Sequence, residues 1–164
     1  MALEEIYQTY ANQVKKFLIT LTANVDLAEE LTQETFYQAI KSIHRFDGSC
    51  KISVWLCQIA KHRYYDYLKK EKHHLRTSLN SLDEVKEQES LPEKTILEKE
   101  QLELIRKEVG SLKEPYREIF LLRTSMDFSF REIGIIFEKS ENWARVTYYR
   151  ARMKLIERVE KHEL

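Results

Sequence analysis

The chain of 164 residues is poor in the residues that turns and disulfides need, with three glycines, two prolines and two cysteines. Hairpins and sheets depend on glycine and proline in their turns, so this scarcity favours an all-α fold. Hydrophobic residues make up 43% and charged residues 33%, a balance typical of a globular protein with a core. Cys50 and Cys57 are predicted to be free thiols, because on one helix their Cα atoms would be about 10 Å apart.

Long hydrophobic runs are also missing. No window approaches the roughly 18 uncharged apolar residues that a membrane span requires. The opening residues, MALEEIYQTYANQ, carry acids where a signal peptide has basic residues, and no apolar stretch follows. The sequence therefore predicts a cytoplasmic protein that does not insert into the membrane.

Catalytic signatures are missing as well. The sequence contains no P-loop, no glycine-rich dinucleotide loop and no nucleophile elbow. His73 and His74 do not combine with the two cysteines in a zinc-site spacing. We therefore expect no enzyme activity, no cofactor and no metal.

Charge of one sign does not dominate the chain, because 27 Lys and Arg balance 27 Asp and Glu, yet the charges are segregated. Residues 61–76 carry a net charge of +4 and residues 140–158 carry +3, whereas residues 77–101 between them carry −4. Either basic run alone could be a solvated helix face. Aromatic residues interleave with the basic ones in both runs, which favours a polyanion such as nucleic acid.

Apolar periodicity predicts helices throughout, interrupted by a polar, acidic and aperiodic stretch. We expect an all-α protein of two small helical domains, residues 1–74 and 93–164, joined by an acidic linker over 75–92. Asp26 and Ser53 are the predicted N-caps of the second and third helices.

The end of the chain predicts a helix-turn-helix. Ser129 and Ser140 are the expected N-caps of FREIGIIF and ENWARVTYYRARMKL, which only EKS separates. On the second helix we expect Trp143 and Val146, with Tyr149 and Met153, to face inward. The residues then expected on the outer surface are Asn142, Arg145, Thr147, Tyr148, Arg150 and Arg152. Arginine can pair with guanine, asparagine with adenine, and a threonine methyl can meet thymine. An ordinary helical hairpin is the alternative.

Three segments together resemble the extracytoplasmic-function sigma factors, small bacterial sigma subunits of RNA polymerase. LKEPYREIFLLRTSMDFSFREIGIIFEKSENWARVTYYRARMKL is similar to the family's promoter-binding domain. DLAEELTQETFYQAI is similar to its polymerase-docking segment, and SVWLCQIAKHRYYDYLKK to the helix that engages the downstream promoter element. The resemblance covers nearly the whole chain, with the motifs in the family's order.

The resemblance implies a role for each matching residue. The residues that it implies in docking on the clamp of the polymerase large subunit are Glu30, Gln33, Glu34 and Phe36. Contacts to the −10 element fall to Lys61, His62, Arg63, Asp66, Lys69 and Lys70, and Trp55 is expected mainly to pack. Contacts to the −35 element fall to Phe130, Arg131, Asn142, Arg145, Thr147, Tyr149 and Arg150, of which Phe130 and Arg131 would reach phosphates.

Several positions depart from the family pattern. Lys113 stands where the family usually has proline, and His62 replaces its usual asparagine. Asn142, Trp143 and Val146 differ from its usual small residue, threonine and serine. The bases that are read at either promoter element therefore do not follow from the resemblance.

The implied function is a sigma subunit that directs RNA polymerase to specific promoters and assists initiation, in an envelope or stress response. Its implied partners are core RNA polymerase, promoter DNA and a membrane-bound anti-sigma factor. An autonomous helix-turn-helix transcriptional regulator is the alternative. That alternative would explain the C-terminal helix-turn-helix but would leave the DLAEELTQETF segment without a role.

Overall fold

The computed structural model describes residues 3–75 and 96–163, and within them every regular element is helical, as predicted. Most of the predicted linker, 75–92, lies outside the described residues. None of the helices described is both long and apolar enough to cross a bilayer. The α-helices, with a short 3-10 turn (Ile43–Arg45) after the second, are α1 (Leu3–Thr22), α2 (Val25–Ser42), α3 (Ile52–Leu75), α4 (Ile96–Gly110), α5 (Tyr116–Thr124), α6 (Phe130–Phe137) and α7 (Glu141–Glu163).

The first compact unit is a bundle of α1, α2 and α3, each of which packs against the other two. Its core follows from apolar residues that recur every three or four positions and so share one face of each helix. Large side chains fill this core with almost no exposure: Val14, Phe17, Leu18, Leu21, Leu31, Val54 and Leu56.

The start of α2 differs from the prediction. The N-cap is Asn24, whose Oδ1 accepts a hydrogen bond from the backbone N–H of Leu27 at 3.1 Å, and Asp26 lies in the first turn instead. The reason is the turn itself: Ala23, in the left-handed region at φ 53°, ends α1 and leaves Asn24 extended. The predicted N-cap of α3 was also wrong. The helix begins at Ile52, so Ser53 is its second residue and is buried.

The second unit consists of α4, α5, the first half of α6 and α7. Both α4 and α5 pack against α7. A buried cluster of Val109, Leu112, Ala151 and Leu155 holds them together, and Tyr116, Phe120 and Leu121 pack around it half-buried. The helix α4 ends at Gly110.

The helix-turn-helix has the predicted caps. Ser129 Oγ accepts from the Glu132 N–H and Glu132 Oε1 accepts from the Ser129 N–H, both at 3.0 Å, which is a complete capping box. Ser140 Oγ accepts from the Trp143 N–H at 3.0 Å and so caps α7. Three residues separate α6 from α7, and Glu138 among them is left-handed at φ 58°.

Candidate nucleic-acid interface

The face that α7 turns to the core is made of small and medium side chains. Ala144 and Ala151 are fully buried, and Thr147 and Leu155 are each 6% exposed. These residues recur every three or four positions, so they form one stripe along the helix. Small side chains let the backbone of α7 lie close to its neighbours, and the bulkier residues between them are turned outward.

The predicted orientation of α7 was therefore wrong at several positions. Val146, Tyr149 and Met153 were expected inside but are 36%, 47% and 57% exposed. Thr147 was expected outside, as a −35 contact, but is buried. Large hydrophobic side chains were taken as core markers, whereas the buried stripe of α7 contains two alanines and a threonine besides Leu155. Trp143 is half-buried.

The exposed side of α7 joins cationic, amide and apolar groups over its first three turns. Asn142, Arg145 and Arg150 are exposed beside Val146 and Tyr149. Arg145 Nη2 bonds Glu141 Oε1 at 3.2 Å across one helical turn, with both side chains about half exposed. This set of groups can donate hydrogen bonds to base edges and offer apolar contact to a thymine methyl.

An aromatic cluster at the start of α6 lies next to that face. The Phe130 ring is 5.5 Å from the Tyr148 ring and 6.1 Å from the Tyr149 ring, centroid to centroid. Tyr148, expected on the outer surface, is half-buried and stacks on Phe120 at 5.8 Å with the rings 10° from parallel. Arg131, the second residue of α6, is exposed.

Arg123 at the end of α5 is a residue that the sequence analysis missed. Its guanidinium carbon lies 4.4 Å from the centre of the Phe130 ring, and its Nη1 donates to the Phe128 carbonyl at 3.0 Å. Arg145 lies over the same ring, with its guanidinium carbon 5.4 Å from the ring centre, so Arg123 adds a second cation there. Only its place in the last turn of a helix leading into the helix-turn-helix could have indicated it.

The basic helix α3 presents only part of its predicted set. Lys69 and Lys70 are exposed, and Arg63 Nη2 bonds Asp66 Oδ2 at 3.0 Å. Lys61 was predicted to reach DNA, but it is 6% exposed and its ammonium lies 5.3 Å from the centre of the Tyr65 ring. A lysine stem can bury its methylenes in this way while its charge stays against an aromatic ring.

The remaining −10 candidate, His62, has a side chain that is 45% exposed. Tyr64 and Tyr65 beside it are half-buried, with their rings 6.0 Å apart. Trp55, expected mainly to pack, is half-buried and lies 5.2 Å from the Phe46 ring.

The turn before α3 is stabilised by Asp47. Its Oδ1 accepts from the Ser49 N–H at 2.9 Å, and hydrogen bonds from the Ser49 side chain and then its backbone hold the pKa of Asp47 below its usual value. Gly48 supplies the left-handed conformation, at φ 77°. Burial, and then the charge of Asp47, raise the pKa of the Cys50 thiol, so this cysteine stays protonated.

On α2, three polar residues of the predicted docking set share an exposed face. Glu30, Gln33 and Glu34 are all exposed and lie at i, i+3 and i+4. Phe36 does not join them: it is 7% exposed, and its ring meets the Tyr7 ring edge to face at 5.0 Å. A phenylalanine one position off the exposed row turns into the core, so the expectation for Phe36 was wrong.

Tyr37 occupies the place that was expected for Phe36. It is 63% exposed, and the Lys41 ammonium lies 4.3 Å from its ring centre. The signal was present in the sequence, because Tyr37 follows Gln33 by four positions and Glu30 by seven, which puts all three on one face.

Comparisons with known proteins agree on one family. The model of Sigma-70 region 2 matches residues 6–74, and that of Sigma-70 region 4 matches residues 102–155. The ECF RNA polymerase sigma factor SigM of Bacillus subtilis is 32% identical over 155 residues, which cover 94% of this chain and 93% of that one. The RNA polymerase sigma factor CarQ of Myxococcus xanthus is 28% identical over 165 residues, 99% and 92% of the two chains.

Solved structures show the same fold. A co-crystal structure of the sigma factor RpoE with the anti-sigma factor NepR from Bartonella quintana matches at a TM-score of 0.74 and 20% identity, covering 96% of each chain. A structure of CnrH with the cytosolic domain of CnrY matches at 0.66 and 15% identity, over 97% of this chain and 88% of that one. The two family models and the sequence relatives show that the chain belongs to the extracytoplasmic-function sigma factors, non-enzymatic subunits that direct RNA polymerase to promoters.

Proposed function

We propose that residues 93–164 recognise the −35 promoter element through the exposed face of α7. The observation that carries this proposal is the exposure of Asn142, Arg145, Tyr149 and Arg150 over the first three turns of a capped helix that follows a short turn. Bases are read from the first turns of a recognition helix in the major groove, and this is where the polar groups of α7 lie.

The exposed face also indicates how bases are distinguished. Arg145 can donate two hydrogen bonds to guanine, and Asn142 can pair with adenine. Because Thr147 is buried, we assign the contact with the thymine methyl to the exposed Val146 instead. In this proposal Arg123, which lies over the Phe130 ring, and the exposed Arg131 contact the phosphates and fix the position of the domain on the duplex.

Residues 1–74 carry the polymerase and −10 contacts in this proposal. The exposed polar row Glu30, Gln33 and Glu34, with its two carboxylates and extended by Tyr37, docks on a basic surface of the polymerase clamp. On α3, His62, Arg63 and the exposed Lys69 and Lys70 approach the −10 element. Joining two modest DNA contacts through the linker at 75–92 raises the effective concentration of the second one.

The opening of the −10 element requires a base to leave the stack, which costs a few kcal/mol. Tyr64 and Tyr65, half-buried on α3, supply rings on which an extruded base can stack. In this proposal α3 therefore combines backbone contacts from its lysines with stacking from its tyrosines.

The likeness to a sigma factor that was crystallised with an anti-sigma factor supports the same kind of partner here. In this proposal a membrane-bound anti-sigma factor holds the chain at the cytoplasmic face until an envelope or stress signal releases it. Fractionation of uninduced cells tests this: the chain should sediment with membranes. A chain found wholly in the soluble fraction would contradict it.

Transcription by the reconstituted holoenzyme over a library of randomised promoters tests the −35 assignment. Arg145→Ala should cost about 1–3 kcal/mol at one −35 base and relax selection there. Lys161→Ala is the matched control, since it removes the same charge about 24 Å further along α7. Equal weakening at every position would make Arg145 a phosphate contact. Tight promoter binding by the chain without polymerase would count against the sigma mechanism as proposed.

Charge reversal tests the docking face. Glu34→Lys should weaken binding to core polymerase by about 5- to 10-fold, because it places a cation against a basic partner surface. Glu103→Lys, at an exposed site on α4, carries the same charge change and should leave binding unaltered. Equal affinity of the Glu34→Lys variant and the parent chain, measured by titration of labelled core enzyme, would refute the assignment.

A further inference from the structure

Two arginines from different helices contact the Phe130 ring. The guanidinium carbon of Arg123, from α5, lies 4.4 Å from the ring centre, and that of Arg145, from α7, lies 5.4 Å from it. Both distances are within the range of cation–π contacts. Tyr148 and Tyr149 flank the same ring at 5.5 and 6.1 Å.

The backbone around Phe130 is firmly held. The capping box between Ser129 and Glu132 fixes the first turn of α6, where Phe130 is the first helical residue. Arg123 adds a second constraint from α5, because it donates to the Phe128 carbonyl at 3.0 Å. The ring therefore occupies a place that the fold determines before any DNA binds.

Arg145, by contrast, is a long side chain that is 45% exposed at the candidate DNA face. Two groups restrain its guanidinium: the Phe130 ring and, at 3.2 Å, the carboxylate of Glu141. A side chain that is already oriented loses less conformational freedom when it binds a base. This saving in conformational freedom is largest for a guanidinium, because it must meet two acceptors in one plane.

We propose that Phe130 is a positioning residue that holds Arg145 in the orientation for base reading, while Arg123 fixes the ring. This role belongs to the phenyl ring, which has no hydrogen-bond donor for a phosphate oxygen. It rests on the proposed function of Arg145 as a reader of the −35 element.

The test uses full-length variants, each reconstituted with core polymerase, on a promoter that the parent holoenzyme selects from a randomised library. Phe130→Leu keeps an apolar side chain but removes the ring, and Phe130→Tyr keeps the ring. Phe120→Leu is the matched control, because Phe120 is a half-buried ring of the same unit that stacks on Tyr148. Binding is measured for each base at every −35 position.

Phe130→Leu should reduce discrimination by about 2- to 5-fold at the one position that Arg145→Ala relaxes. Phe130→Tyr should preserve it, and the double variant Phe130→Leu with Arg145→Ala should lose no more than Arg145→Ala alone. Phe120→Leu should leave base preference intact.

Three results would overturn the proposal. One is unchanged discrimination in Phe130→Leu. Another is an equal loss at all bases in Phe130→Leu and Phe120→Leu, which would show a purely structural ring. The third is a fully additive double variant. If Arg145→Ala itself relaxes no base, the proposed reading by Arg145 fails, and the positioning role fails with it.

Discussion

The helices of the first unit and helix α7 of the second unit differ in the side chains that they bury. In the first unit Phe17, Leu18 and Leu56 are fully buried between three helices. The second unit also buries Ile119 and Leu122, but α7 packs through Ala144, Ala151 and Leu155 while its larger residues Tyr149 and Met153 are exposed. Burial of large side chains is the main source of folding energy, so those that α7 leaves exposed contribute little to folding and are accessible to a partner. In the proposed function α7 therefore has two roles: its inner stripe packs against α4 and α5, and its exposed face binds DNA.

The largest expected effect lies in the first unit. Phe17→Ala should lower the free energy of unfolding of that unit by about 3–5 kcal/mol, because it removes a fully buried ring and leaves a cavity. The chain has two tryptophans, Trp55 in the first unit and Trp143 in the second. Urea unfolding followed by Trp55 fluorescence, in a Trp143→Phe background, reports on the first unit. A loss below about 1 kcal/mol would contradict the packing described.

An intermediate effect tests which side of α7 is packed. Ala151→Leu should cost about 1–3 kcal/mol, since Ala151 is fully buried and the extra methylenes have no space. Met153→Ala should cost less than about 0.5 kcal/mol, because Met153 is 57% exposed. Unfolding followed by Trp143 fluorescence, in a Trp55→Phe background, measures both. A larger loss of stability for Met153→Ala than for Ala151→Leu would contradict this packing and support the orientation of α7 that hydrophobicity predicts.

The smallest expected effect is a gain at the turn between α1 and α2. Ala23 is left-handed, and its N–H bonds the Ile19 carbonyl at 2.8 Å, which is the position that glycine favours after a helix. Ala23→Gly should stabilise the first unit by about 0.5–1 kcal/mol. Ala11→Gly, inside α1, is the control and should destabilise it by about 1 kcal/mol. If both substitutions lowered the free energy of unfolding, the turn at Ala23 would not be strained.

The same contrast explains how much the sequence could predict. The all-α fold and the caps at Ser129 and Ser140 followed from composition and spacing, which depend on local geometry. The orientation of α7 did not follow, because hydrophobic periodicity marks the larger side chains as core. When a helix packs through alanines, small side chains identify its buried face. Amino-acid composition gives little indication of which small side chains are buried.

The errors at individual site residues have related causes. Phe36 and Lys61 were assigned to partners by resemblance, yet the first fills the core and the second lies against Tyr65. Resemblance transfers a role to a position and does not show where the side chain points. Arg123 was missed because its contacts to Phe128 and Phe130 join two helices that no local pattern connects.

The central claim is that the bulky exposed face of α7 binds DNA and contributes little to folding. Tyr149→Ala tests it most directly when stability and promoter recognition are measured on the same preparation. Because Tyr149 is 47% exposed, the free energy of unfolding of the second unit should fall by less than about 1 kcal/mol. Affinity of the holoenzyme for its promoter should fall about tenfold, through the −35 element alone. A loss of about 3 kcal/mol in stability with unchanged promoter affinity would contradict the claim and place Tyr149 in the core.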